Sequence, residues 1–377
     1  METQRSYKNL NRPHRHKHRL ARLWEGFLSW PGRQILGLIL ASGFFASLPF
    51  YFDLSALEAR LYDFRMATAV PVAWQAKPSP EIVLIALDDH TARELEDVAP
   101  LSLEQHLGML EQLAHYYQPR GIGYLIDFNE VQLNHPESFR GGPGDSTQTA
   151  KRSLQTPAST PMQFVTIAQE LQQQGRPFVL GTPFDVTGER LPPYPLSQLP
   201  HSVAVIHRDG NVFAEDRVTR RALSHNAGQA SFHLDFAQRL GWSDPANLPR
   251  GAFQIPELDL SYFFFRYHGN PSLPLDERGP NQDFHRQSGP YAIYPFVDVL
   301  RRELPLEALR DKVVLVGKIN FDDPTDFAMT PYSRAAFSTP KLAVHATIID
   351  SIAKNDSIIR VANAPAWLAS WVLGFFT

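Results

Sequence analysis

The longest apolar run in the chain comes early. Ile35 to Phe52 (ILGLILASGFFASLPFYF) holds eighteen residues without a charge, and as a helix it would rise about 27 Å, close to the hydrocarbon thickness of a bilayer. The run predicts a transmembrane helix over 35–52. Immediately after it, Leu54, Leu57, Leu61 and Phe64 recur at helical spacing, with Asp53 or Ser55 placed to cap, so an amphipathic stalk helix is expected from Asp53 to Arg65. Pro71, Pro78 and Pro80 then mark an extended connection.

Beyond Pro80 the pattern changes to short continuous runs alternating with helical stretches. Glu81 to Asp88 and Gly121 to Asp127 each read as a strand buried on both faces, with a helix from about Ser102 to Tyr117 between them. That order predicts a βαβ unit and a parallel sheet. Arg140 to Thr160 is a low-complexity insertion of surface character. A helix over Met162 to Gln174 and a strand over Pro177 to Phe184 follow. The second half is less regular. His201 to Ala214 alternates around Asp209-Gly210 and predicts a hairpin. Ser231 to Leu240 reads as helix, Ser261 to Tyr267 and Lys312 to Gly317 as strands, and Lys341 to Ile352 as a closing element. The fold class expected is α/β: a mostly parallel twisted sheet with helices on both faces plus antiparallel additions, behind a transmembrane helix.

Charge gives the orientation. The net charge of −3 is bland, but residues 1–34 carry eight Lys/Arg against Glu2 and Glu25, so that segment is near +6 and the remainder near −9. By the positive-inside rule the basic tail 1–34 is cytoplasmic and everything after Phe52 lies outside. Small residues at Ala41-Ser42 and Ala46-Ser47 would suit a cleaved signal peptide. The long basic lead and the length of the apolar run favour an uncleaved anchor. His14, His16 and His18 alternate in the tail without core-forming neighbours, so a disordered basic arm near anionic lipid is expected rather than a metal tract. Ala364 to Thr377 is apolar but only fourteen residues long, and it is expected to be the start of a second, truncated transmembrane helix. The outer domain is then 53–363. Cysteine is absent, which rules out catalytic thiols, thiolate zinc and iron–sulfur ligation.

Several short motifs in this order resemble one family. They are Leu61-Tyr62-Asp63-Phe64-Arg65, Ile85-Ala86-Leu87-Asp88-Asp89, Ile126-Asp127-Phe128, Tyr294-Pro295-Phe296, Val313 to Gly317, Asp326 with Thr330-Pro331, and Val344-His345-Ala346. Together, from Leu57 to about Arg360, they resemble the CHASE type 2 extracellular sensory domain of bacterial membrane receptors. Two departures stand out: Asp216-Arg217-Val218-Thr219-Arg220 where the family has a turn of the Asp-Gly-Val-x-Arg kind, and Lys341 where a glycine is common. The resemblance implies a sensor at the bacterial inner membrane, with its main domain periplasmic or extracellular. It would signal to a cytoplasmic output domain such as a cyclase or kinase, which these 377 residues do not contain.

Candidate chemistry is sparse. Ligands of open parallel sheets bind at the carboxyl ends of strands, where Asp88, Asp89 and Asp127 fall; the segment Asp322 to Asp326 adds carboxylates to the same rim. The candidate ligand-binding set is Asp88, Asp89, Asp127, Asp326, Thr330 and His345. Oxygen ligands of this kind suit Mg2+ or Ca2+, but the spacing matches no calcium loop, and aspartates after strands equally cap helices or brace turns. His345 is placed to pair with Asp326 or Asp127, or to sit as a satisfied core histidine. Arg220 and Arg221 follow the expected hairpin, where they are placed to bind an anionic ligand or, as charges after a hairpin usually are, to be solvated. No nucleophile elbow, Walker loop, zinc-protease helix or kinase signature occurs, and the acidic outer segment opposes nucleic-acid binding. The expected partners are a lipid bilayer, an unknown extracytoplasmic ligand and a second copy of the chain as a homodimer. No cofactor is expected, and the chain is not expected to be an enzyme. A metal-dependent envelope hydrolase and a ligand-free dimerisation module are the alternatives.

Overall fold

A computed structural model describes residues 30–51, 55–67, 77–96, 101–131, 160–185, 188–209, 216–255, 259–274, 289–359 and 368. The basic tail before residue 30, the 140–160 insertion up to residue 159 and nearly all of 364–377 fall outside the described residues. The chain divides into two compact units, Met1–Leu54 with Arg360–Thr377, and Ser55–Ile359.

In the first unit, helix α1 (Trp30–Tyr51) runs through the expected span. Among the described residues no helix is long and apolar enough to cross a membrane.

The second unit contains, in chain order, α2 (Ser55–Ala67), β1 (Ile82–Asp88), α3 (Asp89–Glu94), α4 (Leu103–Glu111), β2 (Gly121–Leu125), α5 (Thr160–Gln173) and β3 (Phe178–Thr182). A two-rung hairpin of β4 (Phe184–Asp185) and β5 (Gly188–Glu189) precedes β6 (His201–Val203). Next come β7 (Arg221–Asn226), β8 (Gln229–Ala230), α6 (Phe232–Arg239), β9 (Phe253–Ile255), β10 (Leu260–Phe264), β11 (Ala292–Pro295), α7 (Phe296–Leu300), β12 (Val313–Ile319) and α8 (Lys341–Ala353).

Six strands form one parallel sheet in the order β11-β1-β12-β2-β3-β6. The continuous apolar runs produce its centre: every residue of β1 is buried, because both sheet faces are covered. Val83, Ile85 and Leu87 point into a core with α4, α5 and α7. Ile82, Leu84 and Ala86 point the other way, against α6 and α8. The expected βαβ unit is present as parallel strands, but β12 lies between β1 and β2. A Cβ at Gly123 of β2 would fall 2.7 Å from Leu315 and 2.8 Å from Phe232, so the glycine lets α6 sit close on the sheet.

A second, antiparallel sheet, β8-β7-β10-β9, lies beyond α6 and α8. A third core joins Ala222, Phe263 and Phe265 of this layer to Leu234, Val344 and Ile348 of the two helices and to Tyr62 of α2. Helix α8 is thus enclosed on both sides.

The hairpin expected over 201–214 extends past the described residues, which stop at 209 and resume at 216; across that gap Asp209 N donates to the Val218 carbonyl at 3.1 Å and Arg217 N to the Asp209 carbonyl at 3.0 Å. His201–Val203 belongs to the parallel sheet, and Asp209 is buried and held by arginine side chains. A further hairpin lies between β7 and β8, where Ala227 and Gly228 adopt φ of 47° and 76°, the left-handed pair that a two-residue turn of this hand requires.

Candidate functional site

Most carboxylates proposed from the sequence lie near the C-terminal edge of the parallel sheet and accept backbone amides there, although among the described residues the second oxygen of Asp88 is buried without a partner. Asp88, 1% exposed, ends β1 and accepts a hydrogen bond from Thr91 N at 2.8 Å, which caps α3; burial pushes its pKa up. Asp89 accepts from Phe321 N at 3.3 Å and Asp326 from Asn320 N at 3.1 Å. These two converge on successive amides of the loop that follows β12. Burial raises Asp326 to about 6. Asp127 turns away from them: it accepts from Asn129 N at 3.0 Å and pairs with Arg190. Thr330 is buried elsewhere, its hydroxyl accepting from Ser333 N at 3.3 Å. Among the described residues no group of three or more His, Asp or Glu is arranged to hold a metal ion.

His345 pairs with neither Asp326 nor Asp127. Its ring stacks on that of His233 at 4.9 Å between centroids, with Nδ1 2.8 Å from His233 Nε2. Burial lowers the pKa of both rings, of His233 to about 3 and of His345 well below its ordinary value, helped there by His233 and Lys341. Burial thus favours the neutral form of both rings, and the pair packs within the core.

A denser cluster surrounds Arg220, which the sequence placed in solvent. Its side chain is fully buried. Nε and Nη2 donate to the two oxygens of Asp63 at 2.6 and 2.7 Å, Nη1 donates to Asp209 at 2.8 Å, and Asp216 takes bonds of 2.9 and 2.6 Å. Arg221, 1% exposed, donates through Nε to Asp209 at 2.9 Å. Arg334 reaches Asp63 at 3.1 Å and Asp216 at 3.0 Å. Three guanidinium groups thus face three carboxylates, and this balance makes the burial tolerable. Burial opposes the charge on Arg220, but the bonds to Asp63, Asp216 and Asp209 outweigh it and its pKa is raised. Arg217 sits in the left-handed region at φ 59°, the conformation in which a glycine is at ease. Across this turn Asp216 and Arg220 bond to each other.

The cluster also ties α2 to the domain. Asp63 belongs to α2, and its neighbour Tyr62, 3% exposed, donates its hydroxyl to the carbonyl of Phe265 at 2.5 Å. Residues 264–268 continue β10 and hold the segment leaving α8 as well. Ile358 N donates to the Phe264 carbonyl at 2.8 Å, and Arg266 N donates to Ser351 Oγ at 3.1 Å. Tyr267 donates to the Thr219 carbonyl at 2.8 Å, beside Arg220. His268 lies with Nε2 2.8 Å from Asp356 and Nδ1 3.0 Å from Asp350 Oδ2. That same Asp350 oxygen accepts from Ser79 N at 3.0 Å, Lys354 Nζ at 2.8 Å and Tyr291 at 3.1 Å. Burial works against a charged His268, but the two carboxylates outweigh it and raise its pKa. Within these five residues, Phe265 holds the helix that enters the domain, while Phe264, Arg266 and His268 hold the end of α8 and the segment that leaves it. His268 also lines an open cavity of about 690 Å³ with Asn270, Tyr332 and Pro290.

The sequence carried two overlooked signals. Asp350 stands inside the apolar run Ile348-Ile349-Asp350-Ser351-Ile352, and a carboxylate in such a run is buried only with partners. Arg220-Arg221 stands between Val218-Thr219 and Ala222-Leu223, a strand-like setting without a polar face.

In comparison with known proteins, the family model described as the CHASE2 domain matches residues 35–377. No curated protein and no solved structure matches the chain.

Proposed function

Because the chain belongs to the CHASE2 domain family, a family of sensory domains, we propose that it is the extracytoplasmic sensor of a membrane receptor. Ile35 to Phe52 anchors it, residues 53–363 face the outside, and signals pass along the two chain segments gripped by residues 264–268 to an output domain in the cytoplasm. The observation that carries this reading is the shared grip: Tyr62 and Ile358, 296 positions apart in sequence, bond to the adjacent carbonyls of Phe265 and Phe264. A ligand shifts such a system only by binding one arrangement of the grip better than another.

Two measurements test it. Because the chain lacks cysteine, a thiol at Ser146 or Ser6 is a unique label site. Ser146→Cys is expected to react with an impermeant maleimide in intact cells and Ser6→Cys only after lysis; the reverse pattern would sink the orientation. For coupling, Asp63→Asn is expected to speed amide exchange at Ile358, which Asp63 does not touch. Unchanged exchange at 354–359 in a folded variant would show that the two ends act separately.

A further inference from the structure

The ring of His268 sits where two carboxylates meet. Nδ1 is 3.0 Å from Asp350 and Nε2 2.8 Å from Asp356, and the ring is fully buried. Asp350, in the last turn of α8, is buried as completely and also accepts from Lys354, Ser79 N and Tyr291. Asp356, on the segment leaving α8, is 23% exposed and accepts besides from Ser351 Oγ at 3.1 Å. The charges around the ring are therefore Asp350 and Lys354 from the end of α8 and Asp356 from the exit segment. Tyr291, ahead of β11, bonds the same Asp350 oxygen, Tyr332, on the loop before α8, lines the same cavity as His268, and Arg266 and Tyr267 precede His268 in its own segment. While the imidazole carries both protons, two cations balance two carboxylates.

A neutral imidazole has a single N–H. Whichever nitrogen keeps it, the other turns a lone pair toward a carboxylate, and one buried negative charge is left in excess. Asp350 cannot leave: it has no exposed surface, its second oxygen has no partner among the described residues, and Lys354 stays beside it. Asp356 has water within reach, and among the described residues His268 is the one cation within ion-pair distance of it. The ring therefore keeps the proton that faces Asp350 and lets go of Asp356. Two positions on, Ile358 N donates to the Phe264 carbonyl at 2.8 Å, an isolated rung that loses its brace when Asp356 turns outward. We propose that His268 is a proton-operated latch: charged, it pins the exit segment 356–359 to the strip that also holds Tyr62, and neutral, it frees that segment. The open cavity of about 690 Å³ that His268 lines gives protons a way in. Burial opposes the charge on the ring, but the two carboxylates outweigh it, so the latch is closed at acid pH and opens as pH rises past the ordinary imidazole value near 6.5. That the freed segment carries a signal rests on the sensor reading above.

Hydrogen exchange of the full-length protein in lipid vesicles, expressed as protection relative to the unfolded-chain rate at each pH, tests the latch. In the wild type, protection at 356–359 should fall between about pH 6 and about pH 8.5, by up to about tenfold per pH unit, while β1 stays protected. His268→Gln should give the low, open-latch protection at both pH values. Asp356→Asn should give high protection at both, because an amide can donate to the ring nitrogen that a carboxylate only repels. A brace that does not switch would lose protection in both variants, so displacement in opposite directions separates a latch from mere packing. Unchanged wild-type protection across this range, or a pH response that survives in His268→Gln, would overturn the proposal. So would low protection in Asp356→Asn with β1 intact. None of these readings depends on which way the domain faces, so a failed labelling test at Ser146 and Ser6 and a failed latch are told apart.

Discussion

The edge of the parallel sheet and the region around β10 both concentrate charge, but they match it differently. At the sheet edge, Asp88, Asp127 and Asp326 accept from amides three, two and six positions away. Around β10, Asp63 meets Arg220 across 157 positions and His268 meets Asp356 across 88. Local partners shape a turn, whereas remote ones fasten one part of the chain to another. The locally bonded aspartates of the sheet edge are therefore replaceable one at a time, and the β10 region acts as one fastening.

Arg220→Ala is the hardest test of this contrast. It leaves Asp63, Asp209 and Asp216 facing one another with Arg221 and Arg334 alone to offset them, and it should cost about 3–5 kcal/mol, read from urea unfolding. Arg220→Lys should recover only part of this, because an ammonium cannot bond both oxygens of Asp63 at once. A loss below about 1 kcal/mol would erase the distinction between the two regions.

A middle-sized effect is expected at His268. Its pKa is raised in the folded protein, so its ionic contacts contribute fully below the unfolded value near 6.5 and are lost as pH rises through the folded one. The depressed pKa of Asp350 acts oppositely: burial disfavours its charge, but His268 and Lys354 outweigh that, and its contribution disappears only as strongly acidic pH is approached. Stability should therefore fall as pH is raised from 6, and His268→Gln should lose about 1–3 kcal/mol at pH 6 and flatten that slope. Matching unfolding midpoints for wild type and variant from pH 6 to 8.5 would show that the fastening does not include the imidazole.

The smallest change belongs to the sheet edge. Asp88→Ala should cost about 1 kcal/mol through the lost helix cap and Asp88→Asn almost nothing, since asparagine caps as well. A larger loss on Asp88→Asn, measured by the same unfolding curves, would give the buried carboxyl a role beyond capping.

Legibility from sequence follows the same division. The runs Ile82–Asp88, Gly121–Leu125 and Val313–Ile319 announced buried strands because a strand covered on both faces needs no periodicity. Their order was hidden: β12, the last strand, pairs between β1 and β2, and nothing in a run of valines names its neighbour. Asp88 and Asp127 were legible as caps or turn braces because the amides they accept from are close in sequence, whereas the Asp89 partner, Phe321 N, lies 232 positions on. From sequence Arg220 reads as solvated because its partners are Asp63, 157 positions earlier in the stalk helix, and Asp209, 11 positions earlier. His268 went unnoticed because Asp350 and Asp356 lie more than eighty positions further on.

Helix α8 carries eleven consecutive buried residues, Leu342 to Ile352, with the parallel sheet on one side and the antiparallel layer on the other. A rod clamped between two close-packed walls has no graded tilt open to it; it keeps its seat or takes a different one, since both walls must repack together. Whatever reaches residues 354–359 through this rod arrives as a click, with a threshold, rather than as a dial reading.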